Sequence, residues 1–158
     1  MGSNPTRGLL SSKQPPKERS ALFGRRVRVY VDAKILNVHD PVLQRKAFVG
    51  YVVEGGSRKK AKESTATESD DAEAEAIILA IEDLRGVHGR ITVVCDHESV
   101  VSEALLKDPG RQTESMVRLR EVLERNRWVK LEVLKANPAH KVVTEYVSGQ
   151  GREPGTSI

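Results

Sequence analysis

Ile91-Thr92-Val93-Val94-Cys95-Asp96 runs without a break into His97-Glu98-Ser99-Val100-Val101. The first stretch is an apolar, β-branched run that reads as a buried strand, and the apolar spacing after Asp96 is helical. An acid is not needed to end a strand. In open α/β sheets, however, the carboxyl ends of the strands are where ligands and chemistry gather. Val27-Arg28-Val29-Tyr30-Val31-Asp32 repeats the arrangement, its valines alternating with Arg28 and Tyr30 at the period of a pleated strand. Two strands, each ending in Asp, set the frame for the rest of the chain.

A chain of 158 residues suffices for one domain with a sizeable core and is too short for two ordinary ones. Charged residues make up 30% and aromatics 4%, so the core must be aliphatic. The net charge of +4 is unevenly placed: residues 1–28 carry seven Lys/Arg against the single acid Glu18, which leaves the remainder slightly acidic. A basic tail on a near-neutral domain suggests a polyanionic partner such as nucleic acid, the alternative being a merely solubilising tail. Cys95 is the only cysteine, which excludes a disulfide framework and a Cys-based zinc site and fits a cytoplasmic protein. No apolar run approaches the ~18–20 residues of a membrane span, so no membrane partner is expected.

Residues 1–24 hold Gly, Ser, Pro and scattered basic residues without apolar periodicity and read as a disordered tail. Met1-Gly2-Ser3-Asn4-Pro5-Thr6 formally fits a myristoylation pattern, and the basic, acid-poor composition fits a transit peptide. Both patterns are short, and neither is adopted. The ordered domain is expected over 25–149, with 150–158 as a flexible Gly/Pro tail.

Within the domain a strand over 26–31 is followed by a connection over 33–45 containing Asp40-Pro41, and then by a strand over 46–53. Glu54-Gly55-Gly56-Ser57 has the residues of a tight hairpin turn. The next strand, 58–66, is heavily charged, as suits a guarded edge. A helix follows, capped by Ser69 or Asp70 and running to Leu84. Strand 91–95, a short helix 98–106 and a Pro-Gly loop lead to a helix over 113–127 with Met116, Leu119, Val122 and Leu123 inward. Strand 128–134 and a helix opened by Asn137-Pro138 and ending near Ser148 complete the chain. The order β-β-β-α-β-α-β-α predicts an α/β fold: a five-stranded mixed sheet, its first three strands antiparallel, with helices on both faces.

Three acids stand out in this frame. Ala76, Ile77, Ala80, Ile81 and Leu84 form one stripe on the long helix. Extended back one turn, the stripe lands on Glu73, while Glu75, Glu82 and Asp83 fall off it. The bland reading is that Glu73 only favours the positive end of the helix dipole. If strands 26–31 and 91–95 are parallel neighbours, ~4.8 Å apart, Asp32 and Asp96 meet at one sheet edge and Glu73 enters from the helix packed on it. Three carboxylates so close repel, and their pKa values rise. A divalent cation among them makes the arrangement favourable, and hard oxygen ligands suit Mg²⁺ or Mn²⁺. Two such ions are a recurring device for phosphodiester cleavage.

The succession Tyr30-Val31-Asp32, then Ala72-Glu73-Ala74-Glu75-Ala76, then Val93-Val94-Cys95-Asp96-His97-Glu98-Ser99-Val100 resembles ribonuclease H of type HI. The resemblance spans residues 26–147, and the 23-residue spacing from Glu73 to Asp96 is near the family's. It implies a ribonuclease H-like fold and an endonuclease that hydrolyses the RNA strand of RNA–DNA hybrids with two Mg²⁺ or Mn²⁺ ions. It also implies that Asp32, Glu73 and Asp96 are catalytic metal ligands. The family's fourth ligand is an Asp on the last helix. Here Asn137-Pro138-Ala139-His140 puts His140 there, as in some divergent relatives, to ligate a metal through a ring nitrogen or to position water. Imidazole is softer than carboxylate and tilts the preference toward Mn²⁺.

Other departures concern substrate contact. Ala33-Lys34 follow the first Asp where the family has Gly and a small residue, so Lys34 is a candidate phosphate contact. Ser69-Asp70 stand where the family has a polar pair, and are candidates for the RNA 2′-hydroxyl. The family's loop His before the last helix has no counterpart, because Leu134-Lys135-Ala136 is too short. There is no room for an extra basic helix, so the tail residues Arg7, Lys13, Lys17, Arg19, Arg25 and Arg26 are candidates for the phosphate grip. His39 and His88 read as surface loop residues. His97 follows Asp96 directly and could face it. A catalytically weakened binding module and a related nuclease of double-stranded RNA remain as rivals, and a monomer is expected.

Overall fold

The computed structural model describes residues 26–56, 58–87, 89–105, 113–135 and 137–156, with side chains to residue 149. The tail over 1–24, Arg25, His88, Ala136 and the Pro-Gly loop lie outside the described residues. The elements are β1 (Arg26–Leu36), β2 (Lys46–Val53), β3 (Lys59–Ser64), α1 (Ser69–Leu84), β4 (Arg90–Cys95), α2 (Glu98–Leu105), α3 (Glu114–Arg125), β5 (Val129–Val133) and α4 (Ala139–Thr156). The strands form one sheet in the order β3-β2-β1-β4-β5. β1–β2 and β2–β3 are antiparallel, whereas β1–β4 and β4–β5 are parallel. The expected mixed sheet with helices on both faces is therefore found.

β1 is longer than its expected span. Its alternation continues through Ala33 and Ile35, and β2 is long enough to pair with it as far as Leu36↔Lys46. Asp32 accordingly lies inside β1, opposite Gly50 of β2, and not at a strand end. Asn37, at φ 65°, ends the strand in a left-handed conformation that Asn tolerates better than most residues. Its side-chain amide donates to the carbonyl of Gln44 at 2.8 Å, and Asp40 Oδ1 accepts from the backbone of Val42 at 2.8 Å. These bonds order a connection that the sequence marks only by Asp-Pro.

β2 is buried on both faces. Ala47, Val49, Tyr51 and Val53 join the main core, which α1 and α3 complete with Ile77, Ile81, Leu84, Met116 and Leu119. Phe48, Gly50 and Val52 face the other way, where Tyr146 of α4 meets the Phe48 ring at 6.0 Å between centroids. Gly50 sets how closely α4 can sit. A Cβ there would lie 2.8 Å from the Lys60 carbonyl oxygen and 2.9 Å from Val143 Cγ2. β3 is exposed and charged at the sheet edge, as expected.

α1 buries more than one stripe, because it is clamped between the sheet and α3: Ala74, Ile78 and Leu79 are buried beside the expected positions. Its N-cap is Glu68, not Ser69 or Asp70, and no side chain caps it. Asp71 instead accepts from the Thr113 hydroxyl at 2.7 Å, and Glu75 takes Ser115 and Arg118 at 2.8 and 3.0 Å, so α1 is tied to the start of α3. On α3 Val122 is buried and Leu123 only partly so. α4 begins at Ala139 and runs past the expected end at Ser148. Among the described residues no helix is long and apolar enough to cross a membrane.

Candidate active site

The β1–β4 register is the first determinant of the site. Tyr30 pairs with Val94 at the last of the parallel pairs. Two residues further along each strand stand Asp32 and Asp96, at equivalent heights and with side chains on one face of the sheet. β4 ends there and turns into α2, while β1 continues. The carboxylates therefore meet where one strand of the parallel pair stops, which is a crevice at a strand's carboxyl end.

Asp32 is 4% exposed and Glu73 1% exposed. Glu73 reaches the strand ends from the first turns of α1, on the opposite side of the sheet from α4. Glu73 Oε2 and Asp96 Oδ1 are both buried and have no hydrogen-bond partner among the described residues. Burial, followed by the charges of Asp96 and Asp32, pushes the Glu73 carboxyl up to about 9. Burial and Asp96 likewise raise Asp32, against a smaller opposing effect of its hydrogen bond to His140. An unpaired buried carboxylate oxygen is costly. A hard divalent cation is the partner that would satisfy two of them at once, so the donor set fits the expected metal.

His140 is brought in by α4. Asn137 organises the start of that helix: its Oδ1 accepts from the Ala139 backbone at 2.9 Å and its Nδ2 donates to the Val31 carbonyl at 3.3 Å. His140 Nδ1 then lies 3.1 Å from Asp32 Oδ2, on a ring whose side chain is 70% exposed. A carboxylate can only accept, so Nδ1 carries the proton and Nε2 is left to solvent or substrate.

His97 is the member whose role the sequence leaves unassigned. Its Nδ1 lies 3.1 Å from Asp70 Oδ1 and its Nε2 3.4 Å from Ser69 Oγ. Glu73, Asp96 and His97 each offer a metal-ligating atom, and these atoms lie within 4.8 Å of one another. The only signal in the sequence is adjacency to Asp96. The link to Asp70 needs the fold, because 27 residues separate the two.

The substrate-contact candidates divide. Lys34 is two residues from Asp32 along β1 and on the same face. Ser69 and Asp70 are at the site but tied to His97. A cleft of about 280 Å³ opens beside them, lined by Ala33, Ile35, Val38, Arg45, Glu68, Ser69 and Ala72. Arg26 is elsewhere: its guanidinium donates to the carbonyls of Ile91 at 2.8 Å and Trp128 at 3.3 Å. It stitches the far ends of β1, β4 and β5, about 20 Å along the strand from Asp32 by the rise per residue. Two of its donors are thus engaged in the sheet, and its expected part in a phosphate grip stays a proposal. His39 is exposed in the β1–β2 connection, as expected. Cys95, directly before Asp96, is buried, and burial pushes its thiol up to about 12, which leaves it inert as a nucleophile.

A sheet ordered β3-β2-β1-β4-β5, with α1 on one face, α4 on the other and acids at the end of the β1–β4 pair, defines a ribonuclease H-like fold. Solved structures bear this out. LC11-RNase H1, isolated from compost by a metagenomic approach, superposes with a TM-score of 0.63 at 19% identity, over 79% of this chain and 97% of that one. RNase H1 of the halophilic archaeon Halobacterium salinarum gives 0.58 at 19% identity, over 78% and 98%. LC11-RNase H1 in complex with an RNA/DNA hybrid gives 0.57 at 20% identity, over 75% and 94%. No family model matches the sequence, and no curated protein matches it significantly.

Proposed function

We propose that the protein is a divalent-metal-dependent endonuclease that hydrolyses the RNA strand of RNA–DNA hybrids. The observation that carries the reading is the pair of buried, unpartnered oxygens, Glu73 Oε2 and Asp96 Oδ1, beside Asp32 in a ribonuclease H-like crevice. Asp32, Glu73 and Asp96 would hold the ions and His140 would stand in the fourth place. Two Mg²⁺ or Mn²⁺ ions supply, when bound, water activation and stabilisation of the departing oxygen.

The chain's own residues set the rest. Asp32 holds Nδ1 of His140, which leaves Nε2 of the exposed ring to move a proton or ligate. Lys34, on the Asp32 face, neutralises a substrate phosphate. Ser69 and Asp70, at the start of α1 and bonded to His97, remain the candidates for the RNA 2′-hydroxyl in this reading. The neighbour solved with an RNA/DNA hybrid supports hybrid as the substrate class. The reading includes a protein acting as a monomer in the cytoplasm.

The test is labelled RNA–DNA hybrid given to purified protein with Mg²⁺ or Mn²⁺, beside labelled double-stranded RNA. Hybrid cleavage lost in Asp32→Asn supports the proposal. Hybrid binding without cleavage in either metal would make the protein a binding module. Cleavage confined to double-stranded RNA would move the substrate.

A further inference from the structure

We infer that His97 is a metal ligand, oriented by Asp70, so that the Glu73–Asp96 side of the site is a mixed nitrogen–oxygen site for a transition-metal dication. The inference rests on the metal-dependent reading above and deepens it.

Three observations meet. Glu73, Asp96 and a ring nitrogen of His97 already lie within 4.8 Å of one another, before any ion draws them in. Glu73, 1% exposed, presents Oε2 with no hydrogen-bond partner among the described residues, a buried acceptor that a cation would satisfy. The third observation concerns which nitrogen is free to coordinate. Asp70 Oδ1 sits 3.1 Å from His97 Nδ1. The carboxylate accepts, Nδ1 keeps its proton, and the lone pair is on Nε2. A carboxylate on one imidazole nitrogen with a metal on the other is how proteins usually orient and strengthen a histidine ligand. Among the described residues Nε2 meets Ser69 Oγ at 3.4 Å, and a contact that long is readily given up to an ion.

The alternative is a latch. His97 joins the β4–α2 turn to the first turn of α1, and such a strut would hold Glu73 near Asp96 with no ligation at all. The two readings differ in what they say about metal identity. A latch supports every dication alike. An imidazole ligand favours Mn²⁺ or Co²⁺ over Mg²⁺, which takes oxygen donors and keeps its waters.

The experiment is metal binding to the full chain without substrate. Co²⁺ is titrated by its visible absorption, and Mg²⁺ and Mn²⁺ by calorimetry, on the unaltered protein, His97→Ala and Asp70→Asn. The expected result is a Co²⁺ and Mn²⁺ affinity at least about tenfold weaker in both variants, the size reached on losing a carboxylate that orients a histidine ligand, with Mg²⁺ affinity changed much less. A changed Co²⁺ band shape in His97→Ala would accompany it. Equal loss for all three ions, or a lowered melting temperature with every affinity unchanged, establishes the latch and overturns the ligand assignment. Asp70→Asn leaves His97 in place and carries the test alone if His97→Ala does not fold. Should the unaltered protein bind none of the three ions, the metal-dependent reading falls as well. Binding that is unaltered in the variants removes His97 only.

Discussion

His140 on α4 and Asp32 on β1, 108 residues apart in sequence, meet at 3.1 Å between Nδ1 and Oδ2. The bond couples the most exposed member of the site to one of its most buried. It also makes a clean prediction, because an Asp in place of His140 would add a negative charge where the imidazole now donates. His140→Ala should lower hybrid cleavage in Mn²⁺ by on the order of 10²-fold, the lower end of what a positioned proton-transfer group contributes. His140→Asp should recover much of that loss and shift the preference toward Mg²⁺. Single-turnover rates in each metal decide it, and unchanged rates in both variants would remove His140 from the site.

Glu73 predicts a pH dependence of stability in metal-free protein. Its carboxyl, ordinarily near 4.5, is pushed to about 9 by burial and by Asp96 and Asp32. Below the lower value both folded and unfolded chains hold the proton. Between the two, the unfolded chain releases it and the folded chain keeps it, so stability falls as pH rises and levels off above the upper value. With chelator present, urea unfolding should therefore show a loss on the order of a few kcal/mol from pH 5 to pH 9. Glu73→Gln should flatten that slope and raise stability at pH 8 while abolishing stabilisation by added Mn²⁺. A slope that Glu73→Gln leaves unchanged would place its origin in other groups.

The acids were legible in the sequence for two different physical reasons. Asp32 and Asp96 each follow a β-branched strand stretch, the first alternating and the second a continuous run, and an acid at that point is conspicuous. Glu73 falls on an apolar stripe whose period is set by the helix. Topology followed from element order, since a helix between two strands favours parallel pairing. What could not be read depends on close tertiary approach. Arg26 looks like the last cation of a basic tail, and only the packed sheet shows its Nη1 donating to the carbonyls of Ile91 and Trp128. The His97–Asp70 pair joins a turn to a helix start, and neither residue type signals it. The length of β1 was also hidden, because the pairing that carries the strand on past Asp32 comes from β2.

Gly50 should be the most sensitive backbone position for the site, although it carries no chemistry. An added Cβ meets the Lys60 carbonyl and Val143 of α4 at under 3 Å, and the backbone oxygen cannot swing away. Gly50→Ala should cost about 1–3 kcal/mol, the usual range for overpacking. Because Gly50 pairs with Asp32 and α4 carries His140, the same substitution should lower kcat more than it raises KM. A stability loss with kcat intact would mean that α4 relaxes without disturbing the His140–Asp32 bond.

The basic residues before β1 and Arg26 itself should separate in a salt titration. Arg7, Lys13, Lys17 and Arg19 would be lost together in a chain lacking residues 1–24. Each of them that contacts a phosphate contributes about 0.9 to the slope of log affinity against log salt, so the shortened chain should bind hybrid more weakly and with a shallower slope. Arg26→Ala should do the opposite: lower stability through the two lost carbonyl contacts and leave the slope unchanged. Hybrid affinity measured across a salt series, on catalytically silent Asp32→Asn backgrounds, distinguishes them. An unchanged slope in the shortened chain would assign the phosphate contacts to the folded domain, with Lys34 as the first residue to substitute.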